Sequence, residues 1–378
     1  MHILTLTPFY PTASDEANGC FVAEPLAAMS EPGLKLSVLS LRPWYRSSRP
    51  GAAAPVAEWV GYFAVPGGWG LSSAGAFLFA SLLGRVRKLH HSDPINLIHA
   101  HAALPCGRAA ALLSRELKIP FVVTVHGLDA FFTNQVRGWV GKGCERVSRH
   151  VYQTAAHVVC ISEQVRARVL EECRECNTQV VYNGVDPELF APAAENAGEN
   201  LVVLSVGNLI PVKGHETLLR AIAMVQPQYP DLSWELIGDG PERHRLEGLA
   251  KELKVSNVRF LGRRSRREVA DAMRRSTVFA LPSRYEGLGC VYLEAMACGK
   301  PAIACREQGI EEVIQHRVNG WLVNVDSSRE LAGALAILLK DLELRQQIGR
   351  SARSTVLNRF TLRHQAEQLI GVYRECMR

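Results

Sequence analysis

Residues 278–301 read VFALPSRYEGLGCVYLEAMACGKP. Val278 to Leu281 form a short apolar run, as expected of a parallel strand buried on both faces. Pro282 ends the run, and Leu293 to Cys298 reads as a helix. A strand, a glycine-bearing loop and a helix in succession are the unit of a doubly wound α/β sheet. Ligands of such sheets bind beyond the carboxyl ends of the strands. Glu286 precedes Gly287, Leu288 and Gly289, and Glu294 follows them on the helix. Glycines beside a carboxylate leave backbone N–H groups open to oxyanions and hydroxyls. A carboxylate also pairs with a vicinal diol, as on ribose or a hexose. Taken singly, Glu286 reads as a turn cap and Glu294 as a solvated helix residue. The segment as a whole favours a ligand site.

The same alternation extends outward in both directions. Strands are expected at Leu201–Val206, Ser233–Ile237, Val258–Phe260 and Ala302–Ala304. Helices are expected at His215–Val225, Pro241–Leu253, Arg267–Ser276 and Glu330–Leu339. Upstream, strands are expected at Ile3–Leu6, Leu36–Leu39, Leu97–Ala100, Phe121–Val125, His157–Ile161 and Val180–Val181, with helices at Gly107–Glu116 and Glu163–Glu172. Between the two series lies NGVDPELFAPAAENAGEN, residues 183–200, rich in Asn, Gly, Pro and acidic side chains. That is linker chemistry. The reading is therefore an α/β protein with a first domain over 1–184, a linker over 185–200 and a second domain over 201–355. Residues 356–378 form a C-terminal helix packing back on the first domain.

Composition narrows the class. The 378 residues are 47% hydrophobic and 21% charged, an ordinary globular balance, with a net charge of +6. Neither half is a basic arm, so nucleic acid is not an expected partner. Ten cysteines without framework spacing suit free thiols in a reducing, cytoplasmic compartment. Cys173 and Cys176 lack the second pair that a structural zinc needs. The N-terminus, MHILTLTP, reads as a strand rather than a signal peptide.

Other strand ends also carry chemistry. Leu201–Val206 runs into Gly207-Asn208-Leu209-Ile210-Pro211-Val212-Lys213-Gly214, ahead of a helix. Glycine there admits close approach of the backbone, helix N-termini attract anions, and Lys213 adds a full positive charge. The loop is not a Walker motif, and alone it reads rather as a helix start with a surface lysine. His126-Gly127-Leu128-Asp129 ends the apolar strand Phe121–Val125, where a histidine meets a ligand or simply packs. Asn18-Gly19 lies in the loop after the first strand and offers another backbone contact.

Together these segments resemble the retaining glycosyltransferases of family four, which have the GT-B fold. EGLGCVYLEAMACGKP matches their E-x7-E segment through Glu286 and Glu294, and SVGNLIPVKGHETLLRA matches their donor-phosphate loop. LIGDGPERHRL, VRFLGRRSRREV, VVYNGVDPELF and NGWLV follow the family's order. The resemblance implies two Rossmann-like doubly wound domains facing an interdomain cleft. It implies transfer of a hexose-type sugar from a nucleotide-diphosphate sugar to a saccharide or lipid-linked hydroxyl acceptor, in polysaccharide or lipid-linked glycan biosynthesis. Glu286 would contact the donor sugar, and backbone amides of Gly287, Leu288 and Gly289 would bind sugar and phosphate. Glu294 would hold the ribose diol, with Gly207 and Lys213 at the diphosphate. His126 would line the sugar site, Gly19 would approach the phosphates, and Gly262 and Arg263 would border the base. The family's usual Arg is Asn208 here, a Gly-Gly pair is Asn18-Gly19, and GGxPE has become Gln308-Gly309-Ile310-Glu311-Glu312.

No D-x-D triplet occurs in the chain, so no metal or other cofactor is expected. Lys213 and backbone N–H groups would stabilise the departing diphosphate. A nucleotide-sugar 2-epimerase on the same fold and a catalytically silent scaffold are the alternatives. The apolar stretch Trp69–Leu83, followed by Arg85, Arg87 and Lys88, reads either as a core helix with a basic end or as a patch for peripheral contact at the inner membrane face. The cluster Arg263, Arg264, Arg266 and Arg267 reads as a solvated loop or as a contact to nucleotide or membrane.

Overall fold

Aliphatic runs become strands here because helices cover both faces of each sheet, leaving no room for polar side chains. The computed structural model describes all residues except 47–50, 52, 54, 67, 128–135, 137 and 194–200. The chain divides into two compact units, Met1–Asn183 with Leu362–Arg378, and Gly184–Thr361.

In the first unit the strands are β1 (His2–Thr7), β2 (Lys35–Pro43), β3 (Ala57–Tyr62), β4 (Leu97–His101), β5 (Phe121–Val125), β6 (His157–Cys160) and β7 (Thr178–Val180). They form one sheet in the order β3-β2-β1-β4-β5-β6-β7, every pair parallel. The helices are α1 (Cys20–Ala28), α2 (Leu71–Ser92), α3 (Arg108–Leu117), α4 (Gly138–Thr154) and α5 (Glu163–Glu172). Strand β3 was not among the expected strands. It is an edge strand, and its exposed Glu58 and Gly61 interrupt the apolar run that marks the central strands.

The second unit repeats the plan. Its strands are β8 (Val202–Val206), β9 (Ser233–Ile237), β10 (Val258–Gly262), β11 (Val278–Ala280), β12 (Ala302–Cys305) and β13 (Trp321–Val323). The order is β10-β9-β8-β11-β12-β13, again all parallel. Between them run α6 (His215–Val225), α7 (Arg243–Glu252), α8 (Arg266–Arg275), α9 (Cys290–Ala297), α10 (Ser328–Lys340) and α11 (Leu342–Arg359). Trp234, fully buried, shares a core with Val203, Leu236 and Ile303, and its indole donates to Ser205 Oγ at 3.0 Å. In both sheets the order reverses beside the first strand of the unit. That reversal is the switch point at which open sheets take their ligands.

Three of the boundaries that differ from expectation bear on the division into units and on the glycine turn. The segment from 185 is not a free linker throughout. Val185 N–H donates to Phe360 C=O at 3.0 Å, and Phe190 is fully buried, so residues 184–193 belong to the second unit. The C-terminal helix begins later than 356. Helix α11 runs to Arg359 within the second unit, and a separate helix α12 (Leu362–Cys376) belongs to the first. Helix α9 begins at Cys290 rather than Leu293, because Gly289 at φ 80° caps it.

Helix α12 is held to its unit by Ala366, Leu369, Ile370, Val372 and Tyr373, which join Ile3, Leu97 and Val122 in one core. Tyr373 Oη lies 2.7 Å from His99 Nδ1, and His99 Nε2 lies 2.7 Å from Thr124 Oγ1. Burial first, then the neighbouring His126, push the His99 pKa down to about 3. No helix among the described residues is long and apolar enough to cross a membrane.

A histidine that is neutral when folded resists the proton that the unfolded chain accepts near pH 6.5. The unfolded state therefore binds more protons between pH 6.5 and about 3. Stability falls with acidification across that window, by roughly 1.4 kcal/mol per pH unit for each such histidine. Urea unfolding followed from pH 7 to pH 5 should show this loss, and His99→Gln should flatten the slope. A slope unchanged by the substitution would contradict the assignment.

Candidate functional site

The two switch-point loops of the second unit meet through backbone. After β8 the chain turns at Gly207 and passes through a short 3₁₀ turn, Pro211–Lys213, before α6. After β11 it passes Pro282 to Gly289 before α9. Gly214, at φ 68°, lies so close that a Cβ there would stand 2.0 Å from the Pro282 carbonyl oxygen. Only glycine permits both that conformation and that approach. Arg284 N–H donates to Val212 C=O at 2.7 Å, fastening the loops a second time.

This contact delivers Lys213 to Glu286. The ammonium donates to Glu286 Oε2 at 2.6 Å, with both side chains largely buried. Glu286 is fixed by its own backbone. Its N–H donates to Gln308 Oε1 at 3.0 Å, and Gly309 N–H donates to its carbonyl at 3.0 Å. Gln308 and Gly309 thus brace the loop from the strand end beyond β12. Leu288 is wholly buried, so only its backbone can serve a ligand. Gly289 is packed against Tyr292 and Glu286, where a Cβ would come within 2.6 Å of the Tyr292 ring. Tyr292 Oη in turn donates to Leu281 C=O at 2.5 Å.

Glu294 rises on the second turn of α9 and is 2% exposed. Arg266, the first residue of α8, donates from Nη1 to Glu294 Oε1 at 2.5 Å. Glu294 Oε2 is buried and has no hydrogen-bond partner among the described residues. The Arg266 guanidinium lies 4.8 Å over the buried Phe190 ring. Its helix starts with a capping box, Ser265 Oγ accepting from Glu268 N–H and Glu268 accepting from Ser265 N–H, which sets where Arg266 emerges. A buried carboxylate with one oxygen neutralised and the other open is ready to accept hydroxyl hydrogen bonds.

Lys213, Glu286, Gly287, Leu288 and Gly289 are therefore brought together, with Gly207 at the root of the lysine loop. Asn208 is exposed. Its carbonyl accepts from Ile210 N–H at 3.0 Å and lies 3.2 Å from His215 Nε2. Gly262, at φ 70°, ends β10 and accepts from Gly238 N–H at 2.9 Å, with Arg263 exposed beside it. Strand β9 separates them from the β8–β11 switch point. The arginine cluster does not act as one group. Arg264 pairs with Glu268 at 3.2 Å, while Arg266 turns inward to Glu294.

In the first unit, His126 follows β5 and lies 2.9 Å from His101 Nδ1 through its Nε2. Phe9 and Phe21 pack on its ring, at centroid distances of 5.9 and 4.8 Å. Burial pushes its pKa down to about 3, leaving it neutral at pH 7. Gly19, at φ 75°, caps α1 and sits tight against the backbone of Phe9 and Tyr10. Leu128 and Asp129 lie outside the described residues. Cys173 and Cys176 are free thiols, and no group of three or more His, Cys, Asp or Glu among the described residues is placed to hold a metal ion.

Comparison with known proteins adds two kinds of likeness. The model described as "Glycosyl transferases group 1" matches residues 187–355, and "Glycosyltransferase Family 4" matches residues 26–189. An uncharacterized glycosyltransferase of Methanocaldococcus jannaschii is 32% identical over 71% of this chain and 72% of its own. The structure of sucrose-phosphate synthase from Thermosynechococcus elongatus superposes with a TM-score of 0.82 at 24% identity, covering 99% of each chain. That of HepE from Anabaena in complex with UDP-glucose gives 0.77 at 22% identity, over 99% of this chain and 100% of that one. At such identities the structures establish the fold, that of the GT-B glycosyltransferases.

Arg266 was hidden in a run of arginines that reads as a solvated loop or as a contact to nucleotide or membrane, and its position at the start of α8 brings it to Glu294. Arg266→Ala leaves the buried Glu294 without its cation and should cost about 3 kcal/mol of stability. Arg266→Lys should recover part of that loss in urea unfolding. A loss below about 0.5 kcal/mol, the range of ordinary surface substitutions, would contradict the pairing.

Proposed function

The chain belongs to the group 1 glycosyltransferases, and from that premise we propose that it moves a hexose-type sugar from a nucleoside-diphosphate sugar to a hydroxyl acceptor, with retention at the anomeric carbon and without a metal. The observation that carries this reading is the pair of carboxylates around the glycine turn, Glu286 on Lys213 and Glu294 on Arg266.

Glu294 Oε2, open and buried, accepts from a ribose hydroxyl. Lys213 is the diphosphate's counter-charge. Without ligand, Glu286 occupies that cation. When diphosphate arrives, the ammonium is shared with it, and Glu286 becomes available to the sugar's hydroxyls. The backbone N–H groups of Gly287 to Gly289 and the N-terminus of α9 add positive dipoles aimed at the same place. As the bond from the anomeric carbon to the diphosphate oxygen breaks, negative charge grows on the leaving group. Fixed donors and a lysine stabilise it without having to reorganise. The acceptor oxygen bonds to the anomeric carbon, and nucleoside diphosphate and a proton are released. His126, in the first unit, has its pKa lowered to about 3 by burial and carries no charge at pH 7.

The relatives' ligands guide the choice of probes. UDP-glucose, bound by HepE, comes first, with the GDP and ADP series beside it. A nucleotide at about 100 times its dissociation constant should stabilise the fold by about 2.7 kcal/mol, which a thermal-shift panel resolves. One series should stand out, and Glu294→Ala should diminish its shift. No shift with any nucleotide would remove the donor site and favour a silent scaffold.

A further inference from the structure

Unit 1 leaves a group of aromatic side chains in water at one edge of its sheet. The strands are parallel, so the residues following β2, β3 and β5 emerge at the same edge. Trp44 follows β2, Phe63 and Val65 follow β3, Trp69 precedes α2, and Trp139 opens α4. The three tryptophans are 64%, 68% and 74% exposed.

These side chains are linked to one another. The Trp44 indole donates to Ala64 C=O at 3.1 Å, beside Phe63 and Val65. The Phe63 ring lies 5.1 Å from Phe77, which is also exposed. Gly70 packs on Val65, and Trp69 lies 5.9 Å from Trp139. Isolated exposed apolar residues need no explanation, but a connected set of large rings marks a contact surface.

Charge selects the occupant. The stretches that carry these rings, 42–46, 59–84 and 136–143, contain no Asp or Glu, whereas Arg46 and Lys142 are exposed within them. Glu58, just before the second stretch, is paired with Arg85. Indoles, with an apolar body and a polar N–H, favour the headgroup level of a bilayer, and basic side chains beside them favour anionic lipid. Apart from Phe77, helix α2 is not itself the docking element. Its apolar stripe of Ala74, Leu78, Leu82 and Val86 is buried, and Arg85 and Arg87 are held by Glu58 and Glu116.

We propose that this aromatic rim docks unit 1 on the surface of a bilayer containing anionic lipid. The docking needs no turnover and does not depend on the reading of the donor site. The test is flotation of the full chain with vesicles of phosphatidylcholine alone and with phosphatidylglycerol as roughly a third of the lipid. The chain should float with the anionic vesicles and much less with the neutral ones. Trp69→Ser with Trp139→Ser, and separately Arg46→Glu with Lys142→Glu, should each lower partitioning about tenfold or more. Both pairs should keep the unfolding transition of the parent, which separates lost docking from lost folding. Absence of binding to anionic vesicles would overturn the proposal, as would binding by both variants equal to that of the parent. So would a solution dimer that the Trp69→Ser, Trp139→Ser variant converts to monomer, since the rim would then belong to a second copy.

Discussion

Two carboxylates that cannot be buried alone set the arrangement of the second unit. Glu286 and Glu294 flank one glycine turn, and each meets a cation brought by a different loop, Lys213 at 2.6 Å and Arg266 at 2.5 Å. Removing an ion from water costs several kcal/mol unless a partner and hydrogen bonds compensate. The loops after β8, β10, β11 and β12 must therefore converge. Glycines at 214 and 289 allow it sterically, and Gln308 fixes the backbone of Glu286. The parallel sheet supplies the frame, because its order reverses between β8 and β11 and opens a crevice there.

The same constraint prepares the chemistry. In the free protein Glu286 is the counter-charge that keeps Lys213 in place. Under the proposed function, a diphosphate would compete with Glu286 for that lysine, which would couple donor binding to the freeing of Glu286. Arg266 holds one oxygen of the other carboxylate, and Glu294 Oε2 has no hydrogen-bond partner among the described residues. The exposed Asn208 supplies no second cation in the loop after β8. Under the proposed function, stabilisation of the leaving group would then rest on Lys213 and the backbone dipoles.

Much of this was legible in the sequence, for physical reasons. Buried parallel strands have to be apolar, and so β5 and β9 were expected at the residues they occupy. Helices α5 and α6 likewise run over the expected residues. Glu286 and Glu294 stood out because glycines separate them, and glycines in a strand-to-helix turn have a mechanical purpose. The edge strand β3 was hidden because Glu58 and Gly61 face water and interrupt its apolar run. The boundary at 360–362 was hidden because two helices with only Phe360 and Thr361 between them share one polar pattern. The pairing of Arg266 with Glu294 was illegible because it joins positions 28 apart in sequence and depends on where the Ser265 cap starts α8. The His99–Tyr373 contact joins positions 274 apart, and no local pattern announces it.

The most direct measurement is release of nucleoside diphosphate from a sugar nucleotide, followed by NMR across a panel of hydroxyl acceptors, with and without EDTA. The account predicts acceptor-dependent release that EDTA leaves unchanged, a product with the donor's anomeric configuration, and a rate about a hundredfold lower in Lys213→Ala. Release no faster than in the absence of protein, or a Lys213→Ala rate equal to that of the parent chain, would contradict it.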